Sequence, residues 1–161
     1  MNNSYPIIMF RQHYLDYAEL TAQLQQWAAA HPGLVHLSTI GTSAEGRAIP
    51  MITIGPDPDH IRPAVWVDGN MHASEVCGSS VALAIAEDVI NIHLGKNEAG
   101  GKGLPAHMAQ AIRDSLFHVV PRISPDGAEA VLKTGRYVRS SPVNDRSNQG
   151  HAGATHLTGV H

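Results

Sequence analysis

Between residues 16 and 33 the apolar positions recur at helical spacing. In DYAELTAQLQQWAAAHPG, Leu20, Leu24 and Trp27 fall on one stripe, Asp16 is a candidate N-cap, and Pro32-Gly33 ends the run. LVHLSTIG (34–41) and AIPMITIG (48–55) are β-rich runs joined by polar TSAEGR, which predicts an antiparallel hairpin. PAVWVDGN (63–70) is apolar without alternation, as expected of a strand buried on both faces. SEVCGSSVALAIAEDVINIHL (74–94) is apolar almost all round and predicts a helix packed deep against a sheet. A surface loop (96–103), a shorter helix (about 105–115), a second buried strand LFHVVPR (116–122), and a turn with a short helix in SPDGAEAVLKTG follow. Residues 140–161 carry no hydrophobic period and read as a poorly structured polar tail or loop. Strand, helix and strand in this order predict an α/β unit with a right-handed crossover, whose ligands gather at the carboxyl ends of the strands.

Composition adds bounds to this pattern. With 161 residues, 43% of them hydrophobic, the chain suffices for one domain with a core. Charged residues make up 16%, against about 25% in ordinary soluble domains, so much of the surface is expected to be covered by other protein. The net charge is −3 and no Lys/Arg cluster exists, which gives no reason to expect a nucleic acid or an anionic membrane as partner. Cys77 is the single cysteine, so no internal disulfide forms. The start, MNNSYPIIMFRQHY, has Arg11 and His13 after a short apolar patch, unlike a signal peptide, and no run reaches transmembrane length; the expected location is cytoplasmic.

Histidine is over-represented, with eleven in the chain. His72 and Glu75 form a His-x-x-Glu pair, but with six glutamates present chance alone supplies roughly 0.4 such matches, so context has to carry the claim. His72 follows the 63–70 strand and Glu75 is expected in the first turn of the next helix, which would direct both into the crevice at the strand end. The plainer alternative is a turn histidine and a helix-start glutamate complementing the dipole. His151, His156 and His161 read as solvated tail residues, His13 with Asp16 as surface, and Cys77 as a small buried hydrophobe.

Several separated motifs then fall in one order: YAEL, HPGLVHLSTIGTSAEGRAIPMITIG, PAVWVDGNMHASEVCGSSVAL and VVPRISPDGAEAVLKTGRYVRSSP. From about residue 14 to residue 142 the chain resembles the N-terminal half of zinc carboxypeptidases of the carboxypeptidase A type. The resemblance implies an α/β fold with a mixed, mostly parallel sheet and helices on both faces, apparently truncated here, with residues 1–161 as the N-terminal part of one catalytic domain. It implies one Zn2+ held by His72 and Glu75. It also implies a catalytic, substrate-binding Arg139 that polarises the scissile carbonyl, reached from the turn at Pro125, Asp126 and Gly127, with Arg136 as a flanking basic position. GTSAEGR matches a structural hairpin signature, so Gly46 and Arg47 are not candidates for chemistry. Asp68 is a candidate carboxylate behind the His72 ring.

The departures from the family pattern matter equally. The family's third zinc ligand and general-base glutamate lie beyond residue 161, and where it anchors the substrate carboxylate with an Asn-Arg pair this chain has His156 and Leu157. Arg146 is the candidate substitute for substrate binding. The expectation is therefore a fragment of a longer reading frame: a zinc-dependent metallocarboxypeptidase acting on the C-terminus of a peptide or protein, inactive alone. The alternatives are a non-catalytic binding or scaffolding module of the same fold and a related zinc amide deacylase. Side-chain specificity and oligomeric state stay open.

Overall fold

The computed structural model describes residues 10–135 and 137–139. Helix α1 (Tyr17–Ala30) begins as the sequence predicts, with a capping box: the Glu19 backbone N–H donates to Asp16 Oδ1 at 2.9 Å and the Asp16 N–H to Glu19 Oε2 at 3.0 Å. Strands β1 (Val35–Thr42) and β2 (Ala48–Ile54) form the expected antiparallel hairpin, with a register shift between Thr39 and Gly41. Next come β3 (Ala64–Asp68), α2 (Cys77–His93), the two-residue strands β4 (Glu98–Ala99) and β5 (Lys102–Gly103), α3 (Ala106–Arg113), β6 (Leu116–Val120) and α4 (Pro125–Thr134). Helix α4 ends on Gly135, whose φ of 66° suits a residue without Cβ.

The main sheet runs β1-β2-β6-β3. It is the mixed α/β sheet the sequence implies. Two of its pairings, β1–β2 and β2–β6, are antiparallel, and the parallel character resides in the β3–β6 pair, from Ala64↔Leu116 to Asp68↔Val120. Leu20 and Leu24 of α1, Ile52 and Ile54 of β2, Leu83, Ala86 and Ile90 of α2, and Phe117 and Val119 of β6 share one hydrophobic cluster. On the opposite face of the β2–β6 pair, Thr53 Oγ1 and His118 Nδ1 are hydrogen-bonded at 3.0 Å.

Two expectations about burial are corrected. Strand β3 is not buried on both faces among the described residues: it is the sheet edge, and Val65 and Trp66 are 40% and 54% exposed because no neighbouring strand covers them. Helix α2 is not enclosed all round either, since Val81 remains 57% exposed, and Cys77, its first residue, is exposed rather than a buried hydrophobe.

The β1–β2 turn is tied to α4 through Asp126, as its structural signature implies. Ser43 Oγ donates to Asp126 Oδ1 at 2.7 Å, the Glu45 N–H donates to Oδ2 at 3.0 Å, and Arg47 Nη1 donates to Oδ1 at 2.6 Å. Burial alone would push the Asp126 carboxyl up; the hydrogen bonds from Ser43, Arg47 and the Glu45 backbone, with the Arg47 charge, outweigh it and hold the group below the ordinary carboxylate range.

Candidate metal centre

Strand β3 ends against α2 with two backbones in close approach. A Cβ at Gly69 would lie 2.3 Å from the Gly78 carbonyl oxygen, and one at Gly78 would lie 2.7 Å from the Asn70 nitrogen, so both positions demand glycine. The turn stays stitched to the segment after β6: the Gly69 N–H donates to Val120 O at 3.0 Å, that of Ile123 to Gly69 O at 3.1 Å, and that of Ser124 to Asn70 O at 3.1 Å. Asn70 takes φ of 52°, the left-handed region asparagine tolerates, and its side-chain amide donates to the carbonyls of His72 and Ala73 at 2.7 and 3.1 Å. The peptide chain carrying His72 is thus wrapped around a buried amide.

The two candidate ligands meet on this turn. His72 Nδ1 lies 3.0 Å from Glu75 Oε1, and the Glu75 N–H donates to His72 O at 3.0 Å. Glu75 lies two residues ahead of α2 rather than in its first turn. Both side chains remain reachable from solvent, at 37% and 61% exposure.

Arg139 joins them from a sequence distance of 67 residues, its Nη2 donating to His72 Nε2 at 3.0 Å. A guanidinium can only donate, so Nε2 accepts and the imidazole proton sits on Nδ1, facing the carboxylate. The Arg139 segment is clamped to the turn. The Ala73 N–H donates to Arg139 O at 2.8 Å, Ser74 Oγ donates to Val138 O at 2.5 Å, and the Val138 N–H returns to Ser74 Oγ at 2.9 Å. Sequence reasoning passed over Ser74. Its only signal is a hydroxyl placed between two candidate ligands.

Asp68 does not stand behind the His72 ring. Its Oδ1 accepts from Trp66 Nε1 at 3.0 Å, a same-strand neighbour, while the second ring nitrogen of His72 is taken by Arg139. Arg136, Arg146, His151, His156 and His161 lie outside the described residues, as does the 140–161 tail.

An imidazole nitrogen and a carboxylate oxygen that already converge to hydrogen-bonding distance are donors of the kind zinc takes, so His72 and Glu75 fit as two ligands. Among the described residues no group of three or more His, Cys, Asp or Glu side chains gathers there. A cavity of about 660 Å3 is lined by Phe10, Arg11, His13, Tyr14 and Val81 among others and includes no residue of the 69–75 turn. The candidate ligands therefore lie on the turn, apart from that cavity.

Comparison with known proteins extends the geometry. The sequence model of the zinc carboxypeptidase family matches residues 20–160. Carboxypeptidase E of Caenorhabditis elegans is 32% identical over 125 residues, which are 76% of this chain and 25% of that protein. The human carboxypeptidase N catalytic chain is 28% identical over 80% of this chain and 26% of its own length. Among solved structures, carboxypeptidase A from Helicoverpa armigera superposes with a TM-score of 0.66 at 22% identity, covering 80% of this chain and 29% of the other, a likeness of fold. The chain spans about a quarter of the length of these curated relatives.

Proposed function

Because the chain belongs to the zinc carboxypeptidase family, we propose that it forms the N-terminal part of the catalytic domain of a zinc metallocarboxypeptidase that hydrolyses the C-terminal peptide bond of peptides or proteins. The observation that carries this reading is the convergence of His72, Glu75 and Arg139 at the end of a β-strand, each contact at 3.0 Å. His72 through Nδ1 and Glu75 through its carboxylate would hold one zinc ion, with the third ligand and the general base outside the described residues. Bound there, zinc supplies Lewis acidity toward the scissile carbonyl and the attacking water.

The chain's own residues supply the rest. To serve as a ligand, Nδ1 of His72 must give up its proton and the ring must carry its hydrogen on Nε2, which then repels the Arg139 donor that now approaches it. Arg139 is thereby freed to turn its N–H groups toward a carbonyl oxygen, where negative charge develops as the peptide bond is attacked. Such a donor contributes about 3–4 kcal/mol to the transition state. Ser74 keeps the Arg139 backbone beside the turn while the side chain moves.

The test is metal analysis with a peptide-hydrolysis assay. In a longer protein that includes this chain and the third ligand, one zinc per molecule is expected, and His72→Ala or Glu75→Ala is expected to lose it without unfolding. One zinc per molecule in both variants would remove the ligand assignment. Zinc binding without peptide turnover, but with cleavage of acyl amides, would point to the deacylase branch; no zinc at all would point to a binding module of the same fold.

A further inference from the structure

Behind the His72 turn lies a buried chain of polar groups that zinc ligation as described does not use. Arg122 is 1% exposed, and its Nε donates to Ser79 Oγ at 3.1 Å. Ser79, 2% exposed, lies 3.3 Å from Asn70 Oδ1. Asn70, 3% exposed, donates from Nδ2 to the carbonyls of His72 and Ala73. The direction of every bond is forced. The carbonyls of His72 and Ala73 can only accept, so the Asn70 amide turns its N–H groups to them and its Oδ1 to Ser79, from whose hydroxyl it accepts; the guanidinium, which has no acceptor, donates to the same serine oxygen. The asparagine amide thus has one orientation.

We infer that Asn70 is a positioning residue for the metal centre, oriented by a one-way hydrogen-bond relay from Arg122 through Ser79, and that the relay fixes the direction from which His72 presents Nδ1. The inference rests on His72 and Glu75 being the ligands. A charged arginine is a costly way to fill a core position, the more so because Nη1 of Arg122 has no hydrogen-bond partner among the described residues and lies 3.9 Å from Glu129 Oε1. An apolar side chain of similar size would fill the space without that cost. What it would not supply is a donor that cannot reverse.

Cobalt(II) titration of the longer protein that supplies the third ligand, followed by its visible d–d absorption, tests this alongside thermal unfolding. Asn70→Asp keeps size and tolerance for positive φ but turns a carboxylate toward two carbonyls; Ser79→Ala removes only the relay hydroxyl. Cobalt affinity is expected to fall 10–100-fold in Asn70→Asp and severalfold in Ser79→Ala, each with an altered d–d spectrum. His72→Ala serves as the control and should abolish the spectrum. If His72→Ala fails and the two relay variants bind cobalt with wild-type affinity and spectrum, changed only in melting temperature, the relay is structural and the inference is overturned. If Asn70→Asp does not fold, Ser79→Ala decides the matter alone. If wild type binds no cobalt, or His72→Ala binds it like wild type, the ligand assignment fails and the inference falls with it.

Discussion

Arg139 and Ser74 divide one task between a side chain and a backbone. In the longer protein that carries the general base, Arg139→Ala should lower kcat by about 100–1,000-fold while zinc content stays at the wild-type level, because on the proposed reading the guanidinium acts where charge develops rather than on the metal. Ser74→Ala removes both bonds to Val138 but leaves the guanidinium in place, so a loss of about tenfold in kcat is expected, again with normal zinc. Steady-state kinetics with atomic absorption on the same samples separates the two. Unchanged kcat/KM in Arg139→Ala would take it out of the mechanism. The sequence offered His72, Glu75 and Arg139 as candidates because motif spacing survives in one dimension. It misdirected Asp68, since nothing local says that an arginine 67 positions away occupies the other ring nitrogen.

Among elements, the link between the β1–β2 turn and α4 depends on a charge. The Asp126 carboxyl is held below its ordinary range in the folded state, whereas in the unfolded chain it titrates near its ordinary value of 3.8. Its stabilising contribution is therefore fully present above about pH 4 and is lost as pH falls through the folded-state value. Asp126→Asn should cost about 1.5–3 kcal/mol at pH 7, and the gap to wild type should narrow as urea unfolding is repeated from pH 5 down to pH 2. A gap that stays constant with pH would mean that the carboxylate charge contributes nothing. The hairpin itself was legible from TSAEGR between two β-rich runs, and α1 from Asp16, Glu19 and the Leu20–Leu24 stripe, because caps and turns are local chemistry. The start of α2 was not legible. Glu75 and Val76 have helix-compatible neighbours, yet the Asn70 amide and the Ser74–Val138 clamp hold this stretch as a turn and delay the helix to Cys77.

At the scale of the molecule, apolar surface remains open on several elements among the described residues, β3 and α2 foremost. Val65 and Trp66 lie on the free edge of β3, and Val81 and Ile85 project from α2 at 57% and 36% exposure. The apolar run VWV announced a covered strand, but a covering partner cannot be read from the strand that needs it. Between Pro63 and Asp68, the proline and charge that flank it, the edge carries only the apolar residues 64–67. The 161-residue chain in isolation should self-associate, and Val65→Lys should shift light scattering toward monomer. Equal association of that variant would place the contact elsewhere, on α2.

Arg122 Nη2 grips the carbonyl of Leu15, a residue 107 positions earlier in the chain, at 2.8 Å. Written as time rather than distance, that contact dates the assembly of the centre. A ribosome adding about 5–20 residues per second needs roughly 5–20 s to pass from one partner to the other, and His72 emerges about midway. The histidine therefore waits for seconds on a nascent chain before the arginine that orients its turn has been made. Closing so long a loop also belongs to the slow, late part of folding. On the proposed ligand set, metal loading would follow the fold: an ion met earlier would find one imidazole free to rotate and nothing to hold it.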